Sequence, residues 1–451
     1  MIYRIIRELI RLAAHVFFRR IELVGLENIP EGGATIFFGN HPNSLLDPGL
    51  ITAFGERKIH FAAKDTLFSQ PMVGGLFKRL GAIPIKRRKD HPDGPLNNNE
   101  AFSALYELLE EGGAMGIFPE GISHNGVQLA ELKTGAARIA LEMQSRGVDI
   151  ALVPSGLNYL KRGRFRSTVL IQFGEPIDVN EWIKVQDQPD ARGLTDHMEL
   201  HLRALTVNAE SWEDLALLDT VRRLYQPPKI TLEERAELAR RFNAYYPSLR
   251  DMPDVMSLSD AVCAYRQDLY SLGLRDRDIN TSLNAKALII RLFRHLVLSL
   301  VWLPLALLGA PLHLPLALFL DWGSRIIAPR KDVIATTKFL VGVLTLLATY
   351  LALGVIAWRL DAGWYTVFTP VLIGLSGWGT LKVAERGHSL WRTLWVWSHC
   401  LRARATIRDL RARRRELHQE VLTVVNAHLP EDMDRLFYQQ GSSEKHPVEL
   451  S

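Results

Sequence analysis

Cysteine is almost absent from this sequence. Its 451 residues hold two, Cys263 and Cys400, far apart and without metal-ligand or redox spacing. A disulfide framework is excluded, and both thiols are expected to stay reduced, as in a cytosolic compartment. Charge of one sign is not in large excess either: 54 Lys and Arg stand against 49 Asp and Glu, a net +5. A uniformly basic nucleic-acid surface is therefore not expected. The chain has no Walker loop, no G-x-G-x-x-G and no H-E-x-x-H, so neither a nucleotide nor a metal is expected. It also lacks the G-x-S-x-G elbow, which argues against a serine hydrolase. No secretory signal is expected at the N-terminus, because Arg4, Arg7, Glu8 and Arg11 interrupt any apolar core.

What is present points to a mixed soluble and membrane protein: hydrophobic residues reach 47% while charged ones remain at 23%. Three stretches lack Asp, Glu, Lys and Arg: Leu296–Leu320, Phe339–Trp358 and Ala362–Leu381. About 20 apolar residues cross a bilayer as a helix. The last two are separated only by Arg359, Leu360 and Asp361 and read as a transmembrane hairpin. The first contains Pro304, Gly309, Pro311 and Pro315, which predicts a re-entrant or kinked element. Trp364, Trp378, Trp391, Trp395 and Trp397 are expected as interfacial anchors. From Lys382 to Arg415 there are ten Lys or Arg and two Asp or Glu, a basic segment suited to anionic lipid. At the other end, Ile2, Ile5, Ile6, Leu9, Ala13, Val16 and Phe17 recur at helical intervals. This predicts an amphipathic membrane-surface helix over 1–19, with packing on its own domain as the alternative.

Between these features, residues 20–178 alternate short apolar runs with helical patterns. Expected strands are Ala34–Phe38, Ile59–Ala63, Ala82–Ile85, Met115–Phe118, Ile150–Pro154 and Thr168–Phe173. Expected helices are Pro71–Leu80, Asn97–Glu111 and Lys133–Arg146. The fold class is thus α/β, a sheet flanked by helices, followed by a helical membrane domain. Residues 179–287, broken at Pro227–Pro228, read as a helical linker or subdomain. Residues 288–381 form the membrane domain, and 382–451 a basic helical C-terminal region and tail.

Four motifs stand at predicted strand ends, where functional residues of α/β sheets collect. Asn40-His41-Pro42-Asn43-Ser44-Leu45-Leu46-Asp47-Pro48 offers a histidine base and a carboxylate to orient it. Gly81-Ala82-Ile83-Pro84-Ile85-Lys86-Arg87-Arg88-Lys89 ends a strand in four cations, and an arginine fork suits a phosphorylated substrate. Gly116-Ile117-Phe118-Pro119-Glu120-Gly121-Ile122-Ser123-His124 presents a carboxylate able to accept from a substrate hydroxyl, beside a glycine that permits close approach. Val153-Pro154-Ser155-Gly156-Leu157-Asn158-Tyr159 follows another apolar strand.

In this order the four blocks resemble the glycerolipid acyltransferase superfamily, over roughly residues 20–178. The run from Phe118 through Leu132-Lys133-Thr134-Gly135 to Leu141 is most similar to the fungal glycerol-3-phosphate/dihydroxyacetone-phosphate acyltransferases, as is Gly156 to Ile177. The resemblance implies a membrane-bound enzyme of phospholipid synthesis, with His41 as base and Asp47 as its orienter. It implies that Arg87, Glu120 and Gly121 bind a glycerol-phosphate acceptor and that Pro154 shapes the site, and Ser123 and Lys133 are expected to bind substrate as well. The donor would be a thioester of coenzyme A or acyl carrier protein, with no resident cofactor or metal. Membrane lipid is the expected partner, and the catalytic domain is expected to face the cytoplasm. Two departures stand out. Five residues separate His41 from Asp47 where most of the superfamily has four, and Ser123-His124 replaces a common Thr-Arg. A lysophospholipid acyltransferase, a transacylase and a catalytically silent lipid-binding scaffold remain as alternatives.

Overall fold

A computed structural model describes residues 2–70, 73–88, 90–92, 97–227, 229–280, 285–360, 363 and 365–428. The expected features at Pro71, Lys89, Pro228, Asp361, Ala362, Trp364 and the tail from 429 lie outside the described residues.

The chain divides into two compact units, residues 1–208 with 315–370, and 209–314 with 371–451. The first is built on a sheet of eight strands: β1 (Phe18–Val24), β2 (Ala34–Gly39), β3 (Ile59–Lys64), β4 (Ile83–Ile85), β5 (Ala114–Ile117), β6 (Ile150–Tyr159), β7 (Ser167–Phe173) and the short β8 (Ile177–Asp178). Their order is β1-β7-β6-β2-β5-β3-β4, with β8 also on β6. From β6 to β4 the neighbours are parallel, whereas β7 and β8 run antiparallel to β6. The carboxyl ends of β2, β3, β4 and β5 therefore open on one edge. All six expected strands are present. The unexpected β1 is an edge strand whose Arg19 and Arg20 face solvent, so it shows no continuous apolar run.

Residues of β2 alternate between two cores, as the pleat dictates. Phe37 enters the layer containing α1 (Ile2–Phe17) and α2 (Leu46–Phe54). Ile36 and Phe38 enter the layer beneath α4 (Asn99–Glu110), α5 (Gly135–Ser145), α6 (Val179–Lys184) and α7 (Ala191–Leu205). A short helix, α3 (Val73–Arg79), precedes β4. Helices α6 and α7 belong with the sheet, so the structural division falls after Asn208 and not after residue 178. Their N-caps are sequence-encoded: Asp178 accepts from the amides of Asn180 and Glu181, and Asp190 from that of Gly193.

Helix α1 turns Ala14 and Phe17 into the domain while Ile2, Ile5, Leu9 and Leu12 stay exposed. One stripe packs on α2, and a second apolar stripe remains exposed.

The second unit holds α8 (Trp212–Tyr225), α9 (Leu232–Leu249), α10 (Pro253–Ser271) and α11 (Asp276–Asn280). They share a core with α15 (Arg404–His428), through residues such as Leu224, Tyr265, Leu417 and Val421. The basic C-terminal segment is thus part of a packed helical unit.

Among the described residues three helices are long and apolar enough to cross a membrane: α12 (Ala285–Ile327), α13 (Ile334–Arg359) and α14 (Tyr365–Arg402). The re-entrant bend expected near Gly309 and Pro311 is not found; α12 is one continuous helix of 43 residues. Gly309 serves packing instead of a break. A Cβ there would lie 2.4 Å from the Ser376 carbonyl oxygen of α14, so the missing side chain lets the two backbones approach. Helix α14 also overruns the expected end at Leu381 and continues to Arg402.

Candidate active site

The chain leaves β2 at Asn40, whose side-chain amide continues the ladder. It donates to the Leu157 carbonyl (3.1 Å) and accepts from the Leu157 amide (2.8 Å). The next residue, His41, is thereby projected from the carboxyl edge of the sheet. Its Nδ1 lies 2.9 Å from Asp47 Oδ2. A carboxylate only accepts, so Nδ1 carries the proton and Nε2 is the basic nitrogen. The imidazole stacks on Phe118, with centroids 4.1 Å apart and planes within 9°, and Phe118 stacks on Phe61 in turn. The ring is 18% exposed, whereas Asp47 is wholly buried.

Asp47, in the first turn of α2, is saturated. Oδ2 also accepts from the Asn43 amide (2.7 Å), and Oδ1 accepts from the Tyr159 hydroxyl (2.6 Å). Burial pushes the Asp47 carboxyl above its ordinary value, and the hydrogen bonds from His41, Tyr159 and Asn43 oppose that shift. Burial and the adjacent Asp47 push the Tyr159 phenol far up, so it stays a donor. Tyr159 lies in a motif of the sequence, but nothing in a single sequence pairs it with Asp47.

The five-residue spacer is accommodated by a left-handed residue, Ser44, at φ 50°. Three contacts pin this turn. Ser44 N donates to Ser123 Oγ (2.9 Å). The Thr336 hydroxyl donates to the Asn43 carbonyl (2.6 Å) and accepts from the Leu46 amide (3.1 Å). Thr336 is 4% exposed and lies in the first turn of α13, 290 residues beyond Leu46. Its neighbours Ala335 and Phe339 are buried in the same core as Phe17 and Phe37. An apolar helix therefore supplies part of the frame that holds the His–Asp loop.

Glu120 is placed differently from expectation. Oε1 accepts from the His41 amide (2.7 Å), and Oε2 accepts from the Ala130 amide (2.8 Å) and from His124 Nε2. At 2% exposure, both its oxygens meet protein donors. Burial alone would raise its carboxyl, but the bonds from His124, Ala130 and His41 hold it below the ordinary 4.5. The His124 pKa is raised in return by its bond to Glu120. Its Nδ1 accepts from the Gly126 amide (3.0 Å), and its own amide donates to the His41 carbonyl (3.2 Å). Glu120 and His124 thus stitch the β5 loop to the β2 loop.

The remaining expected residues gather nearby. Arg87 Nη1 donates to the Gly121 carbonyl (3.0 Å) while Nε pairs with Asp90 (2.6 Å). Gly121 has φ 68°, and a Cβ there would meet the Lys133 side chain at 3.1 Å, so glycine makes room for that lysine. Pro154 sits within the sheet beside Phe38, between the stretches of β6 that pair with β8 and with β7, where no amide is required. A small cavity beside His41 is lined by Asn40, Glu120, His124, Arg162 and Asn208. Arg162, not foreseen from sequence, donates to the Gly126 carbonyl (2.9 Å), and burial lowers its pKa. Among the described residues no cluster of three or more His, Cys, Asp or Glu is arranged to hold a metal.

The site thus consists of a strand-end histidine oriented by a buried aspartate, with a glutamate-clamped glycine loop and a strand-end arginine beside it. Residues 20–158 match the family model described as Acyltransferase, and residues 217–433 that of the glycerol-3-phosphate acyltransferase 2 C-terminal domain. Over these two regions the chain is similar to glycerolipid acyltransferases. It is 29% identical to glycerol-3-phosphate O-acyltransferase 2 of Saccharomyces cerevisiae, over 66% of this chain and 45% of that protein. The chloroplastic 1-acyl-sn-glycerol-3-phosphate acyltransferase LPAT1 of Arabidopsis thaliana is 27% identical over 31% of this chain and 37% of its own length. The crystal structure of the 1-acyl-sn-glycerophosphate acyltransferase PlsC from Thermotoga maritima aligns at TM-score 0.35 and 23% identity, over 45% of this chain and 78% of that one. The chain spans less than half the length of the yeast relative.

Proposed function

We propose that the protein is a membrane-bound acyltransferase that moves a fatty-acyl group from a thioester to the hydroxyl of glycerol 3-phosphate or a related glycerol-phosphate acceptor. The observation that carries this is the Nδ1–Asp47 pair, which leaves Nε2 of His41 as a base at the sheet edge. Nε2 takes the hydroxyl proton as the acceptor oxygen bonds to the acyl carbon. The carbon–sulfur bond breaks, and the proton passes to the leaving thiolate. Asp47 steadies the transient imidazolium, and such general acid–base action contributes about 10²–10⁴-fold. The donor is a coenzyme A or carrier-protein thioester, and the chemistry requires no resident cofactor. Arg87, Gly121, Ser123 and Lys133 form the acceptor side, with Arg87 as the phosphate ligand. Arg87→Ala is then expected to raise the acceptor KM well above any change in donor KM; equal changes would remove it from that role.

The test is acyl transfer by purified protein from labelled acyl-CoA, against glycerol 3-phosphate, dihydroxyacetone phosphate and lysophosphatidate. Turnover on a glycerol-phosphate acceptor that disappears in a folded His41→Ala protein supports the assignment. Turnover that persists in that variant overturns it.

The α/β unit is proposed to face the cytoplasm. Helix α13 begins on it through Thr336 and Lys338, which donates to the Gly163 carbonyl (3.1 Å). Arg325, Arg330, Lys331 and Lys338 cluster at that end, as cytoplasmic flanks do. In a cysteine-free background, single cysteines at 325, 338 and 410 should react with an impermeant thiol reagent from one face and a cysteine at 361 from the other. Labelling of 325 and 361 from the same face would refute the crossing of α13.

A further inference from the structure

Helix α15 carries arginines of two kinds. Arg413 and Arg414 pair with carboxylates, at 2.7 Å to Asp268 and 2.8 Å to Asp276. Arg404, Arg408, Arg411 and Arg415 follow one another at steps of four, three and four, which places them along one face of the helix. That face borders a cavity of about 410 Å³ in the helical unit, whose other walls are Trp397, Cys400, Leu401 and Ile407. Among the described residues no carboxylate lines it. The nearby Asp278 is already committed to Arg392, at 2.5 Å.

Four guanidinium groups around one cavity repel each other, and nothing in the lining offsets them. Arg411 makes the point most sharply. Its Nε donates to the Ile279 carbonyl (3.3 Å), while Nη2 is buried and meets no acceptor among the described residues. A buried donor of this kind costs free energy unless a partner arrives. The position is informative as well. The apolar helix α14 runs to Arg402, and the arginine face begins two residues later. Trp397 and Leu401 sit on the last turns of that helix and are each more than a third exposed. A tryptophan and a leucine beside a row of arginines match the border between acyl chains and phosphates.

We propose that this cavity binds the headgroup of an anionic glycerophospholipid. The arginine forks take the phosphate oxygens, and Trp397 and Leu401 lie against the upper part of the acyl chains. Arginine suits the task because its planar fork holds phosphate oxygens bidentately and is always charged. The site lies within the helical unit and does not depend on the acyl-transfer reading of His41.

The experiment uses the full chain in detergent, titrated with dioctanoyl phosphatidate, dioctanoyl phosphatidylcholine or inorganic phosphate, with binding followed by calorimetry and by the shift in Tm. Phosphatidate is expected to bind and raise Tm, and the other two at equal concentration are not. The Arg404→Gln/Arg408→Gln pair should weaken phosphatidate binding at least about tenfold, the scale of losing charge-assisted hydrogen bonds. Arg404→Lys/Arg408→Lys, which keeps the charge and loses the forks, should fall between the two. It also serves as the reading if the glutamine pair does not fold. Arg413→Gln, whose arginine is paired outside the cavity, should bind like the native protein. Equal binding of phosphatidylcholine would overturn the proposal. So would inorganic phosphate binding as tightly as phosphatidate, which would make this a free-anion site. Phosphatidate affinity unchanged in both Arg404/Arg408 pairs would place the lipid elsewhere, at the His41 site for example, and the proposal would fail.

Discussion

The loop that carries His41 and the arginine face of α15 are both crowded with polar groups, and they treat them in opposite ways. Around His41, each carboxylate oxygen of Asp47 and Glu120 has a protein donor, and the backbone turn between them is tied at three points. Along α15, four cations face a cavity that no carboxylate lines among the described residues. A saturated network fixes geometry in advance, as a base that must meet a reacting atom requires. A face with surplus donors is arranged for something that comes from outside. The exposed surface of α1 falls between the two: one stripe is used for packing, and another, from Ile2 to Leu12, remains apolar and uncovered.

The sharpest way to break the saturated side is Asp47→Asn. A neutral amide turns its NH2 toward Nδ1 as readily as its oxygen, so the ring loses both its tautomer and its counter-charge. kcat is expected to fall by about 10²–10⁴-fold with little change in KM, read by steady-state kinetics on protein of native-like Tm. A change below tenfold would remove Asp47 from its orienting role.

Next in size is Glu120→Gln, which tests the clamp and not the base. An amide has one accepting atom where the carboxylate has two, so donors from His41, Ala130 and His124 lose partners, at a cost of about 1–3 kcal/mol. The pH dependence gives the sign. Because the folded carboxyl is held below its ordinary 4.5, its contribution is complete above that value and is lost as pH falls through the depressed folded one. The Tm gap between native and Glu120→Gln protein should therefore be wide at pH 7 and narrow as pH falls below the ordinary carboxyl value and through the depressed one. A gap that is constant with pH would mean that the charge of Glu120 is not what holds the loops.

Smaller still is Tyr159→Phe. Asp47 then keeps its bonds to His41 and Asn43 but loses the donor on Oδ1. Burial already raises that carboxyl, and removing a donor raises it further. The acidic limb of the kcat–pH profile should move to higher pH, with kcat at neutral pH down about tenfold and partly regained in more alkaline buffer. An unshifted profile would limit Tyr159 to packing.

Much of this architecture was legible in the sequence because it is local. Ala34–Gly39 and Ala114–Ile117 are short apolar runs ending in His41 and Glu120, and the sheet places both where the runs stop. The His–Asp pair lies within seven residues, so one turn can bring the two together. What was not legible depends on distant packing. The sequence around Glu120 suggests a group open to substrate, yet its donors come from residues 41, 124 and 130, and only the folded loops show them to be satisfied. Gly309 and three prolines suggested a reversal, whereas a partner helix accounts for the glycine. Strand β1 escaped notice because an edge strand with three charged residues has no clean alternation.

Thr336 is the contact that sequence could least foresee, and its removal should have the smallest measurable effect. Its hydroxyl bridges Asn43 O and Leu46 N, the two ends of the turn that holds Ser44 at positive φ. Thr336→Val keeps the shape and deletes both bonds. The Leu46 amide retains a longer bond to the Asn43 carbonyl (3.2 Å), so no group is left wholly unpaired. The loss should therefore lie near the lower end of the 1–3 kcal/mol scale for a broken buried hydrogen bond, about 1 kcal/mol. If the turn loosens, Asp47 drifts from Nδ1, and kcat should fall about fivefold while the acceptor KM holds, since 1 kcal/mol corresponds to that factor. Thr336→Ser restores the hydroxyl and should recover most of kcat. That rescue separates a role through the hydroxyl from simple packing of α13, which valine preserves. Native kcat in Thr336→Val would show that the helix covers the catalytic loop without holding it.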